Sequence, residues 1–171
     1  FGLEMGKATI LFHVALVILQ IIILRRNFEL KNLLQIVVGV IFGYFTTFSN
    51  FLFSFLPTPE NMVIRLGMML GSTVLIAVGI FFYLPANIVP LAGEGAIKAV
   101  SDVTGIVFSN VKIAFDVTMV TVSLITCLAV IHTLGSVGAG TIIAAVLVGA
   151  ILGRINKRFG AKRDILMGIT I

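Results

Sequence analysis

Polar residues are sparse along this chain and gather in a few places, and the apolar stretches between them are too long for strands. Five stand out, at about residues 8–24, 33–56, 66–84, 111–131 and 134–155. Each has roughly the 17 to 25 residues that a helix needs to cross a hydrocarbon layer about 30 Å thick. Period-two alternation is missing and the runs are about twice strand length, which argues against a barrel. The pattern predicts an all-α polytopic transmembrane helix bundle with five spans. Gly135, Gly138 and Gly140 crowd the start of the last stretch, so its first turns are expected to be frayed or unwound.

The pattern also repeats. GLEMGKATILFHVALV from Gly2 aligns with GIVFSNVKIAFDVTMV from Gly105, placing Ile10 on Ile113, Phe12 on Phe115, His13 on Asp116 and Gln20 on Ser123. After a longer connection, VVGVIFG from Val37 aligns with LVGAILG from Leu147, so Gly39 matches Gly149 and Gly43 matches Gly153. A duplicated apolar unit predicts a transporter-like architecture. Residues 1–56 form a first, partial repeat with two spans, residues 57–65 an extracytoplasmic connection, and residues 66–171 a second repeat with three spans. The second repeat includes an amphipathic connection over about 86–110 and a basic tail from about 154. The chain opens at Phe1 without a charged leader, so it is expected to start inside a longer protein that supplies the first repeat's missing helix. Three helices per half is an odd number, which predicts that the two repeats lie inverted across the bilayer.

Charge placement bears on that orientation. Cytoplasmic connections are enriched in Lys and Arg. Arg25, Arg26 and Lys31 follow the first span, and Arg154, Lys157, Arg158, Lys162 and Arg163 follow the last. Both clusters are expected in the cytoplasm, with the 57–65 and 132–135 connections outside, which agrees with inversion. The 85–110 connection then falls inside, with Lys98 balanced by Glu94 and Asp102.

Composition names the solvent. The chain is 59% hydrophobic and 11% charged, far more apolar than a soluble domain of 171 residues can bury, so lipid must cover the rest. The net charge of +5 sits beside the predicted spans, where orientation and anionic headgroups account for it without nucleic acid. The single cysteine, Cys127, falls within a span and reads as a small buried hydrophobe.

Ionisable groups inside spans are costly, about 2.5 to 3.5 kcal/mol each on insertion scales, and usually face a bundle interior or a wet cavity. Here they are His13, Lys112 and Asp116. Lys112 and Asp116 are four apart on one helical face, which continues through Ser109, Met119, Ser123, Thr126 and Cys127. The matching face of the first repeat reads Thr9, His13, Leu16 and Gln20. In an inverted pair these stripes approach one another, and a histidine beside a carboxylate suits proton coupling or binding of a polar solute. The competing expectation is structural: Lys112 snorkels, Asp116 neutralises it, and His13 packs against a backbone carbonyl. One His and one Asp are too few ligands for a metal.

The 85–110 connection is a candidate gate or interfacial helix. Ile97, Val100 and Val103 share one face, and Glu94, Lys98 and Asp102 follow at i,i+4 spacing on another. Gly39, Gly43, Gly149 and Gly153 form small-xxx-small faces that let helices approach closely, and Gly67 and Gly71 repeat the spacing on the third span. SVGAGT is no phosphate loop, since no Lys-Ser/Thr follows it.

Read together, YLPANIVPLAGEGAIKAVSDVTG from Tyr83, KIAFDVTMV from Lys112 and VGAGTIIAAVLVGAILG from Val137 resemble the YczE/YitT-like bacterial integral membrane proteins. The resemblance spans nearly the whole chain, as that family's six-helix pattern without its first helix. It implies residence in the bacterial cytoplasmic (inner) membrane, where the basic clusters put the C-terminus on the cytoplasmic side, and it implies no agreed activity. Members often carry an acidic Gly-Pro-Trp-Asp-like motif in the first connection. Here AGEGAIK places Glu94 in the corresponding region of the second connection, without the Pro-aromatic flank.

The expected function is a small-solute or ion-coupled membrane transporter, its pathway lined by His13, Gln20, Lys112, Asp116 and Ser123, with a small polar or anionic solute. The alternative is a non-transporting assembly or regulatory subunit acting through helix contacts, as a homo-oligomer or with a membrane partner. An enzyme is not expected: no nucleophile–base pair, metal cluster or phosphate loop is present, and no cofactor is implied.

Overall fold

The computed structural model describes residues 5–57, 59–86, 89–130, 132 and 138–168, and the side chains of the first helix from residue 11 onward. Among these residues the protein is all-helical. In chain order come α1 (Met5–Leu24), α2 (Leu34–Phe53), α3 (Met62–Tyr83), α4 (Ala92–Thr104), α5 (Phe108–Val130) and α6 (Ala139–Leu166), with two short 3-10 segments between α1 and α2. Four helical segments are long and apolar enough to cross a membrane: Leu30–Phe53, Met62–Tyr83, Phe108–Val130 and Ala139–Leu166. Leu134 and Gly135, at the predicted start of the last span, lie outside the described residues.

Local chemistry sets the helix ends. Arg25 adopts a left-handed φ of 47° and turns the chain out of α1, where Lys31 pairs with Glu29 at 2.6 Å. Asn61 caps α3, its Oδ1 accepting from the Val63 amide at 2.8 Å. Gly105 closes α4 at φ 71°, a conformation that glycine adopts without a Cβ clash. α6 continues well past residue 155, because its second half is polar but keeps one face against its neighbours.

The chain forms two compact units. The first comprises Phe1–Thr58 and Asn87–Ile106, with α1 packed on both α2 and α4. Its buried face runs through Leu16, Val17 and Gln20 of α1, Gln35 and Gly39 of α2, and Ala92, Gly95, Ala96, Ile97 and Ala99 of α4. The packed face of α4 is thus mainly small residues at helical spacing. Of the three larger residues expected to share a face, Ile97 is buried, Val100 is half-buried and Val103 is 59% exposed.

The second unit comprises Pro59–Ala86 and Val107–Ile171, with α6 packed on both α3 and α5. Its core is Ala77, Ile80 and Phe81 of α3 against Val148 and Leu152 of α6, flanked by Tyr83, Leu84, Phe108, Ile151 and Ile155. Large apolar side chains outside these seams are exposed, among them Tyr44, Phe45, Phe48 and Phe51 on α2 and Val122 and Ile125 on α5. That distribution fits helices whose outer faces meet lipid.

Candidate functional site: buried polar clusters

Each unit holds one buried polar cluster. In the first, Gln20 and Gln35 face each other across the α1–α2 hairpin and exchange reciprocal hydrogen bonds. Gln20 Nε2 donates to Gln35 Oε1 at 2.8 Å, and Gln35 Nε2 donates to Gln20 Oε1 at 3.0 Å. Gln20 Nε2 also donates to the Ala92 carbonyl at 3.2 Å, in the first turn of α4. Both amides are 1% exposed. The pair is therefore dry, and satisfied by its own geometry rather than by solvent.

Gly95 makes this arrangement fit. A Cβ at that position would lie 2.7 Å from both Nε2 and Oε1 of Gln35 and 2.8 Å from Gln20 Oε1. Any side chain there would push the two amide ends aside or lift the α4 backbone off the pair. Nearby, the His13 ring rests against Gly39, whose position would put a Cβ 3.1 Å from Nδ1. His13 is half-buried.

In the second unit, Lys112 Nζ meets Asp116 Oδ2 at 2.9 Å, one turn apart on α5. Lys112 is 7% exposed, so its ammonium does not snorkel out to water, and Asp116 is half-buried. Of the stripe beyond them, Ser123 is exposed and Thr126 returns its hydroxyl to the carbonyl four residues back, as Thr118 and Thr121 do off the stripe. Cys127 is a half-buried free thiol.

The remaining candidates fall into local pairs and contacts. Lys98 pairs with Asp102 at 2.9 Å on the exposed side of α4, and Glu94 is half-buried on the same helix. A Cβ at Gly149 would strike Ile113 Cγ1 and lie 2.9 Å from the Ser109 carbonyl, and one at Gly153 would lie 3.0 Å from Ser109 Oγ. Gly43, Gly67 and Gly71 have nothing within 4 Å of such a position. Among the described residues no group of three or more His, Cys, Asp or Glu could hold a metal ion.

Two participants escape a reading of the sequence alone. Gln35 is one amide in an apolar span, and its only clue is its place one turn before Gly39. Arg163 reads as part of a cationic tail, yet it turns back onto the end of α3. Its Nη1 donates to the Phe81 carbonyl at 3.0 Å and to Asn156 Oδ1 at 2.9 Å, and its guanidinium lies 4.5 Å from the Phe81 ring centroid. Asp164 accepts from its Nε at 2.8 Å, and a cleft of about 70 Å³ lined by Leu84, Pro85, Phe108 and Ser109 opens beside it.

One family model matches residues 1–157 of the chain. The chain belongs to DUF6198, a family of unknown function. No curated protein and no solved structure matches it. For this DUF6198 chain, any functional reading therefore rests on the clusters themselves.

Proposed function

We propose that this protein is a small-solute or ion-coupled membrane transporter, with the Lys112–Asp116 pair as its polar centre. The observation that carries the reading is a lysine 7% exposed and closed onto an aspartate within an apolar helix. Such a pair costs free energy to insert, and a buried ion pair contributes little net stability compared with packed apolar residues. Retaining it is easier to account for by work on a charged or polar solute than by packing.

In this proposal α1 is a fifth span, since MGKATILFHVALVILQIIIL carries one charge in 20 residues. The two halves are inverted repeats. Supporting this, the matched Gly39 and Gly149 each carry a close approach to the aligned helix of their own unit, α1 and α5 respectively. The basic clusters support a cytoplasmic C-terminus for a protein of the bacterial inner membrane, and the resemblance to YczE/YitT-like proteins belongs with this reading. Gln20 is reassigned: its amide is committed to Gln35 and Ala92, so it holds α4 in place instead of meeting solute.

A specific observation favours a second reading, an assembly or regulatory subunit. The amides of Gln20 and Gln35 and the charges of Lys112 and Asp116 all have partners within their own units. The two readings separate in a thermal-shift screen of small anionic and zwitterionic solutes against wild type and Asp116→Asn. The transporter reading expects a solute that raises Tm in wild type and not in the variant, with a gain near 2.7 kcal/mol at about 100 times Kd. If no solute shifts wild type, or the variant responds equally, the subunit reading stands.

A further inference from the structure

We propose that the exposed face of the α6 extension is a binding surface for anionic phospholipid headgroups. α6 has 28 residues, which gives a length of about 42 Å at 1.5 Å per residue, against a hydrocarbon layer of about 30 Å. Its first charge is Arg154, so the apolar half ends there and the remaining turns rise through the headgroup layer. At about 100° per residue, Arg154, Lys157, Arg158 and Lys162 fall within an arc of roughly 140°. All four are exposed.

On the opposite arc Leu152 and Gly160 are buried, and Arg163, half-buried, donates to the exposed Asn156. Arg163 fastens it to the end of α3 through the Phe81 carbonyl and ring. This anchoring does two things. It keeps the extension helical beyond the bilayer core, and it turns the fifth cation inward while the other four face out. Asp164 is bound to Arg163, and among the described residues none of the four outward cations has an ion-pair partner. Phe159, Ile165 and Leu166 are exposed on the same extension, apolar groups of the kind that settle at the acyl boundary beside a cationic face.

Orientation alone requires only that positive charge lie near the end of a span. It does not require that the cations share one face, stay unpaired, or ride on a helix clamped at phosphate height. Charge complementarity with lipid phosphates explains all three features.

The test is lipid retention. Protein is reconstituted in vesicles of mixed phosphatidylglycerol and phosphatidylcholine, extracted in detergent, and the lipid held per protein is counted. Wild type should retain phosphatidylglycerol over phosphatidylcholine by about threefold or more, and the enrichment should fall at high salt. R154Q/K157Q/R158Q/K162Q should retain both lipids equally, while R25Q/R26Q keeps the wild-type preference. Equal retention by wild type, a preference insensitive to salt, or equal loss in both variants would each overturn the proposal. Adding inorganic phosphate distinguishes a soluble anion: if it displaces phosphatidylglycerol at millimolar concentration, the surface is a phosphate site and the lipid assignment is wrong.

Discussion

At the residue scale, the two buried clusters make opposite demands on their partners. Gln20 and Gln35 satisfy one another in a dry seam, so Gln20→Leu should leave the buried Gln35 amide without its partner and cost about 1 to 3 kcal/mol. Q20L/Q35L should cost less than the sum of the single changes, with a coupling of about 0.5 kcal/mol or more in a double-mutant cycle read by thermal or denaturant unfolding. Additive losses would mean that the two amides do not act as a pair. For Lys112→Met the expected loss is about 3 kcal/mol, at the lower end for a broken buried pair because Asp116 keeps some exposure, and K112M/D116L should recover much of it. The Lys112–Asp116 contact was legible in the sequence because four residues along a helix is a local distance. The Gln20–Gln35 contact was not, because it depends on the register of a hairpin, and that register is set by packing and by the turn at Arg25.

At the element scale, glycines decide how closely helices approach, and matched glycines do different work. Gly149→Ala should destabilise α6 against α5 by about 1 to 3 kcal/mol, since the new methyl meets Ile113 and the Ser109 carbonyl. Gly43→Ala has open space and should be neutral or stabilising by up to about 1 kcal/mol, the helix-propensity gain. Comparing Tm for the two variants checks the assignment directly, and Gly95→Ala should behave like Gly149→Ala by lifting α4 off the amide pair. The spacing of these glycines was readable, but which of them touch anything was not, because a small-xxx-small pattern reports permission for contact and not contact itself. α4 shows the same limit. Its larger apolar residues suggested the packed face, whereas close approach to Gln20 and Gln35 selects the small one, Ala92, Gly95, Ala96 and Ala99. The length of α6 was also hidden, since hydropathy ends at Arg154 while the anchor that keeps the next turns helical, Arg163 on Phe81, is tertiary.

At the scale of the whole molecule, the all-helical class and its membrane solvent follow from run length and composition, because lipid removes the need for polar outer faces. The division into units does not follow from chain order. α4 lies within the 66–171 stretch of the duplication, yet it packs with α1 and α2 through a glutamine contact 72 residues distant in sequence. The central claim is that the charged pair of α5 serves transport, and its most direct test is solute flux in proteoliposomes carrying wild type or Asp116→Asn at matched protein density and matched Tm. The account predicts that at least one small anionic or zwitterionic solute crosses wild-type vesicles faster than protein-free ones, and that the variant lowers this flux at least tenfold. Flux no greater than in protein-free vesicles for every solute, or equal flux through the variant, would contradict it.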